Sequence, residues 1–159
     1  MISTAIVILN WNGLSFLEKF LGNVVRHSSG SNTIVCVADN NSDDGSVEWI
    51  TRNHPEIMLV NLDKNYGFAG GYNRALSQIE AKYYILLNSD IEVTPGWTGP
   101  LINFLENNPA AASCQPKILS YAERDRFEHA GAAGGFIDKY GYPLPRQNFK
   151  QNRKRYRAV

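Results

Sequence analysis

Apolar and polar positions alternate in blocks along this chain, and the blocks change period in a regular order. Thr4 to Leu9 is a continuous apolar run, the mark of a strand buried on both faces. Leu14, Leu17, Leu21, Val24 and Val25 follow at helical spacing. A second strand is predicted over Thr33 to Ala38, ended by the polar loop Asp39 to Gly45. Ser46 then opens a short helix carrying Val47 and Ile50, closed before Pro55. A third strand is predicted over Ile57 to Leu62. The loop Asp63 to Gly71 precedes a helix with Tyr72, Ala75, Leu76 and Ile79 on one face, and Tyr83 to Leu87 reads as a fourth, buried strand. Thr94 followed by Pro95 predicts a helix start, a capping residue before proline at the first helical position, with Trp97, Leu101, Phe104 and Leu105 as the apolar stripe. A fifth strand is predicted over Ala110 to Cys114.

Short strands alternating with amphipathic helices predict an α/β fold, a mostly parallel sheet with helices on both faces. The rhythm stops after Pro116. Phe127 to Pro145 is rich in Gly, Ala, Tyr and Pro without periodicity, and suits an irregular hairpin or a lid. Two parts are therefore expected: an α/β domain over 1–116, and an irregular hairpin with a basic tail over 117–159.

The 159 residues are enough for a real core, and 43% hydrophobic with 19% charged residues fits a globular protein. A net charge of +1 gives no general pull toward nucleic acid. Cys36 and Cys114 both lie in apolar runs and read as buried free thiols of a reducing cytoplasm. No signal peptide and no run of membrane-spanning length is seen. Lys150 to Arg157 carries five positive charges and no acid; it reads as a solvated terminus, with an anionic membrane or a phosphate-bearing substrate as the alternative partner.

The candidate chemistry lies in the loops. Loops that follow parallel strands emerge at one edge of the sheet, where ligands of open α/β folds bind. The first is Asn10-Trp11-Asn12-Gly13 and the second is Asp39 to Ser46. The fourth strand delivers Asn88-Ser89-Asp90, whose period-two spacing points Asn88 and Asp90 the same way if the strand continues. A single carboxylate there is placed to hold a divalent ion against a diphosphate. Read alone, Asn-Ser-Asp more often marks a turn. Asp39 reads either as a turn-starting residue that accepts backbone N–H groups, or as a carboxylate that bonds a nucleobase imide or a ribose. Asp43 and Asp44 read as surface turn residues. The glycine segment Asn65 to Asn73 lets backbone approach a ligand, yet matches neither a P-loop nor a dinucleotide fingerprint. Trp11 and Trp97 read as packing residues, and His129 as a packing or surface histidine.

Taken in order, four segments resemble the nucleotide-sugar glycosyltransferases of family 2, with the GT-A fold, and within it the rhamnosyltransferase-like branch. They are Val7-Ile8-Leu9-Asn10-Trp11-Asn12-Gly13, Asp39-Asn40-Asn41-Ser42-Asp43-Asp44-Gly45-Ser46, Asn65-Tyr66-Gly67-Phe68-Ala69-Gly70-Gly71-Tyr72-Asn73, and Leu87-Asn88-Ser89-Asp90. The resemblance implies that Asn10, Asn12 and Asn41 line a nucleotide pocket. It implies that Asp39 reads the base, a uracil or thymine. Asn65, Gly67, Phe68 and Asn73 would fold over the nucleotide. Asn88-Ser89-Asp90 would be a variant of the family's Asp-x-Asp motif, with Asn88 and Ser89 at the nucleotide and Asp90 ligating Mg²⁺ or Mn²⁺ against the donor diphosphate.

The resemblance further implies an inverting transfer of a sugar from a UDP- or dTDP-linked donor to a glycan or lipid-linked acceptor, in the cytoplasm, at the inner face of the membrane where the acceptor is a lipid. The family's general base sits in a later acidic motif that is not found among Glu123, Asp125, Glu128 or Asp138, so it is expected beyond Val159. The chain then reads as the donor-binding half of a longer, truncated enzyme, prone to self-association through exposed apolar surface. A non-catalytic nucleotide-binding or assembly module is the alternative. A nucleotidyltransferase is disfavoured, because Asn10-Trp11-Asn12-Gly13 contains no basic residue.

Overall fold

The computed structural model describes residues 2–28, 30, 32–127, 132–137, 139 and 143–147. The chain divides into two units, one ending at Trp97 and one beginning at Thr98.

The first unit is built from strands β1 (Ile2–Asn10), β2 (Thr33–Asp39), β3 (Met58–Asn61) and β4 (Ala81–Leu87), with helices α1 (Leu14–His27), α2 (Ser46–Asn53) and α3 (Gly67–Leu76) between them. All pairings are parallel and the sheet order is β3-β2-β1-β4. The chain steps outward from β1 to β3, then returns through α3 to lay β4 on the other side of β1. That reversal puts the topological switch point at the C-terminal end of β1, between β1 and β4.

Alternation along β1 builds two cores. Ile6 and Ile8 pack with Val37, Leu17, Leu21 and Val24 of α1, and Ile50 of α2. Ala5 and Val7 face the other way, onto Cys36, Ala38, Val60, Tyr72 and Ala75, the last two from α3. The expected covering of both faces is present. Burial pushes the Cys36 thiol up to about 12, so it stays a protonated, inert core group. Cys114 is also free, but only half-buried.

Four expectations are corrected. The strand expected over Ala110 to Cys114 is irregular; three alanines and a serine between Pro109 and Pro116 offer little strand propensity, and Ala111 N–H closes a turn onto Asn108 (2.8 Å). The helix expected from Thr94 starts instead at Thr98, as α4 (Thr98–Asn107), because Gly96 takes a φ of 71° and turns the chain first. Trp97 therefore packs against the α1/α2 core, its indole N–H donating to Ser28 Oγ (3.2 Å), rather than joining α4, none of whose residues is fully buried. The third helix begins at Gly67, inside the predicted glycine loop. Finally, β4 is an edge strand and only half-buried: Tyr84 and Leu86 lie in register with Ala5 and Val7, yet remain 41% and 52% exposed.

The second unit contains α4, a bridge between Leu119 and Phe127, and an antiparallel hairpin of β5 (Ala132–Ile137) and β6 (Pro143–Gln147) with an irregular register. His129 and the basic tail lie outside the described residues.

Gly71 sets how closely α3 approaches the sheet. A Cβ there would stand 2.8 Å from Leu9 Cδ1 and 3.2 Å from the pinned Asn40 Nδ2. Gly71→Ala is expected to cost about 1–3 kcal/mol in chemical denaturation followed by circular dichroism. Gly99→Ala, with open space around its Cβ position on α4, is expected to cost nothing or to add up to about 1 kcal/mol.

Candidate active site

The parallel register places Asn10 opposite Asp39, each the last residue of its strand. Both side chains are almost fully buried. Asn10 Nδ2 donates to Asp39 Oδ1 (3.0 Å) and to Ser42 Oγ (3.1 Å). Ser42 Oγ donates to the same Asp39 oxygen (2.6 Å), and Ser42 N–H donates to Asp39 Oδ2 (2.8 Å). The buried carboxylate is thus held by three donors from the protein itself, the condition under which a charge can be kept away from water. Asp39 starts the turn, as the first of its two expected readings has it, and stands at the C-terminal end of β2.

This arrangement also fixes the Asn10 amide. Rotating it would turn its oxygen onto the Asp39 carboxylate, so Nδ2 must face β2 and Oδ1 must face away. Asn10 Oδ1 is buried and has no hydrogen-bond partner. An acceptor left in that state costs about 1–3 kcal/mol.

The loops after β1 and β2 are tied together beyond Asp39. Asn12, at a φ of 51°, exchanges two bonds with Asp43: its Nδ2 donates to Oδ1 (2.8 Å), and its Oδ1 accepts from Asp43 N–H (2.9 Å). Asn12 N–H donates to Ser42 Oγ (3.0 Å). Asp44 performs a task the sequence reading missed. Its Oδ2 accepts the N–H of Leu14 (2.8 Å), the first residue of α1, and its Oδ1 accepts the N–H (3.0 Å) and hydroxyl of Ser46, the first residue of α2. The N-cap residues of these two helices are glycines, Gly13 and Gly45, with no side chain to cap with. One carboxylate therefore caps both helices. An acidic residue two positions before a helix start was the available signal; that it served a second helix was not readable.

Asn40 was missed as well. It is buried, donates from Nδ2 to Asn65 Oδ1 (2.8 Å) and Gly67 O (3.2 Å), and accepts Tyr66 N–H at Oδ1 (2.9 Å). It holds the start of α3 against β2, while Asn65 Oδ1 also accepts Gly67 N–H (2.8 Å). Adjacent Asn41, the residue picked from sequence, is exposed at a φ of 64°. Gly67, Phe68 and Asn73 are exposed, and the Phe68 ring meets Tyr72 edge-on at 5.0 Å. Arg74 stacks on Tyr66 at 3.6 Å.

On the other side of the switch point β4 stops at Leu87, whose carbonyl accepts the buried Tyr72 hydroxyl (3.2 Å). The strand does not continue, so Asn88, Ser89 and Asp90 sit on a turn rather than on one strand face. Val93 N–H donates to Asn23 Oδ1 on α1 (2.8 Å), so the turn is anchored at both ends. Asn88 and Asp90 are exposed. No group of three or more His, Cys, Asp or Glu that could hold a metal is found among the described residues. The hard oxygens of Asp90 and Asn88 fit a magnesium-type ion that takes its remaining ligands from phosphate and water. Trp11, expected to pack, is 59% exposed beside Asn10 and Asn12, because its neighbours on the loop are committed to β2 and leave the ring outside.

Burial raises the Asp44 carboxyl, but bonds from the Ser46 hydroxyl and the Leu14 and Ser46 amides outweigh it and hold the group below its ordinary value. Folding therefore favours the ionised form. The contribution is complete above the unfolded value of about 3.9 and fades as pH falls through the lower folded value. Asp44→Ala is expected to cost about 1–2 kcal/mol at pH 7. In urea titrations the gap between parent and variant should close only below about pH 4.

Against known proteins, the sequence profile described as "Glycosyl transferase family 2" matches residues 5–158. The N-acetylglucosaminyl-diphospho-decaprenol L-rhamnosyltransferase of Mycobacterium tuberculosis is 23% identical over 124 residues, 71% of this chain and 40% of that protein. Among solved structures, S. aureus TarS residues 1–349 in complex with UDP-GlcNAc superposes with a TM-score of 0.58, 19% identity, and coverage of 67% of this chain and 32% of that one. The same TarS segment alone gives 0.59 at 14% identity, covering 74% and 40%. The likeness in structure is one of fold: an α/β, Rossmann-like GT-A sheet. This chain spans less than half the length of these relatives, but the profile covers nearly all of it, and the chain belongs to glycosyl transferase family 2.

Proposed function

We propose that the switch-point edge of the first unit is the donor site of a glycosyltransferase, taking a nucleoside-diphosphate sugar, UDP- or dTDP-linked. The observation that supports this reading is that Asn10, Asn12, Asp39, Asn41 and the Asn88–Asp90 turn all lie at or just beyond the C-terminal ends of the neighbouring parallel strands β1, β2 and β4, where the sheet order reverses. Exposed Trp11 offers a ring face to a base. Asn65, Gly67, Phe68 and Asn73 would form a third wall, and Asn88 and Ser89 would reach the nucleotide from the end of the fourth strand. Asp90 would hold Mg²⁺ or Mn²⁺ at the diphosphate, where a cation neutralises charge on the departing nucleoside diphosphate.

The transfer joins an acceptor oxygen to the sugar's anomeric carbon as the carbon–oxygen bond to the diphosphate breaks. The acceptor proton passes to a base supplied from outside the residues assigned here. The acceptor is a glycan or lipid-linked sugar, in keeping with the lipid-diphosphate substrate named for the M. tuberculosis relative. The donor class is in keeping with the UDP and UDP-GlcNAc complexes of TarS. No helix among the described residues is long and apolar enough to cross a membrane.

Calorimetric titration with UDP and with dTDP, each with and without Mn²⁺, tests the reading. Binding is expected to strengthen at least about tenfold with the metal. Asp90→Ala should abolish that gain and leave metal-free affinity and the circular dichroism spectrum unchanged. Absence of binding under every condition, or a metal gain that survives Asp90→Ala, would overturn the assignment.

A further inference from the structure

We infer that the open side of β4 is a self-association surface, on which a second copy of this chain lays its own β4 antiparallel across a two-fold axis. The inference is independent of the donor-site reading.

The sheet has two edges, β3 and β4. β3 has four residues, and a short strand is a poor template for another chain. β4 has seven, and among the described residues it pairs with β1 alone, so no strand takes up the hydrogen-bonding groups of its other side. Sheets usually guard such an edge with charge or proline. Over Ala81–Leu87 the guard is a single residue, Lys82, near the start.

The side chains match the backbone. Lys82, Tyr84 and Leu86 are exposed on one face of the strand, while on the other Tyr83 and Ile85 are half-buried and Leu87 is buried. The polar tip of Tyr84 is already satisfied: its hydroxyl donates to Ile79 O (2.7 Å) and accepts Ala81 N–H (3.2 Å). Its ring is thus held by its own chain while the residue stays 41% exposed, two positions from Leu86 at 52%.

The occupant follows from the order of residues. With Ile85 on the axis, Tyr84 of each copy meets Leu86 of the other, and Tyr83 of each meets Leu87. Cross-strand pairs of this kind, with Cβ atoms about 5 Å apart, are what stabilises an antiparallel ladder. Lys82 comes to the partner's Asn88–Asp90 turn, where its charge faces Asp90 and offsets the approach of Glu80 to that same carboxylate. Parallel pairing in register would instead set Lys82 against Lys82 and Glu80 against Glu80. The antiparallel edge is therefore self-complementary in backbone, in apolar pairs and in charge, as a two-fold interface must be.

Sedimentation velocity of the 159-residue chain tests this. At about 100 μM a dimer is expected, with twice the 17.8 kDa mass of one copy. Leu86→Lys should raise the dimer dissociation constant at least about tenfold. Met58→Lys, the same kind of change at an exposed residue of the opposite edge, should leave it within about twofold. Ile85→Cys, made together with Cys114→Ser, should give a disulfide-linked dimer under mild oxidation, because position 85 meets itself across the axis. Circular dichroism checks the fold of each variant, and should Leu86→Lys fail to fold, the parent's mass and the Ile85→Cys cross-link decide without it. A parent that stays monomeric at that concentration would overturn the inference and leave the edge to a different occupant. A dimer untouched by Leu86→Lys, or weakened as much by Met58→Lys, would place the interface elsewhere and overturn it too. So would a dimer that Ile85→Cys fails to cross-link, since its copies would not meet in this register.

Discussion

The hydrogen bond from Asn10 to Asp39 is the constraint on which the C-terminal edge of the sheet depends. It joins the last residues of two adjacent parallel strands, opposite each other in register. A carboxylate cannot be buried there without donors, and the donors it obtains come from the two loops that must be shaped. Ser42 bonds to Asp39 through both its amide and its hydroxyl, and that hydroxyl then accepts from Asn10 and from Asn12. The charge on Asp39 is thus converted into loop geometry. Removing any member leaves another buried polar group unsatisfied, which is why such networks act as units.

Around this contact the fold spreads the same economy. Asp44 caps α1 and α2 together, so both helices that follow the tied loops start from one carboxylate. Asn40 extends the tie from β2 to the first turn of α3, and the missing side chain of Gly71 lets that helix come close. The three helices of the first unit are therefore indexed to the end of β2. The opposite wall, beyond β1, is built differently. The turn after β4 is anchored by the Leu87 carbonyl on Tyr72, by Val93 N–H on Asn23 and by Ile91 against the core, and presents Asn88 and Asp90 to solvent.

Much of this was legible in the sequence. The strand and helix blocks of the first unit, the parallel sheet and the gathering of three polar loops at one edge follow from period and order alone. What failed did so for stated reasons. Ala110 to Cys114 has strand-like hydrophobicity but an alanine-rich composition with little strand propensity. The apolar run Tyr83 to Leu87 cannot reveal that its strand lies at an edge, because edge position is decided by the crossover of α3. Trp11 looks like a packing residue in sequence, and its exposure follows from where its neighbours are tied. Within the site, Asn40 and Asn41 are indistinguishable by type. Only the left-handed turn at Asn41 decides that Asn40 points in and Asn41 points out. The double duty of Asp44 joins residues 30 apart and leaves no local trace.

The contrast between the two walls has a chemical sense under the proposed reading. A base must be told from its isosteres by one or two hydrogen bonds, and that discrimination is lost if the reader can rotate. A wall cross-linked as tightly as that between β1 and β2 supplies a reader that cannot. A diphosphate with its cation has the opposite demand, since the ion exchanges water for phosphate oxygens as the ligand arrives and leaves. An exposed carboxylate such as Asp90 can follow those changes at little cost. The switch point between β1 and β4 is the place where one fold can offer both, because it is there that a strand fixed by its neighbours on one side meets a strand added from the other.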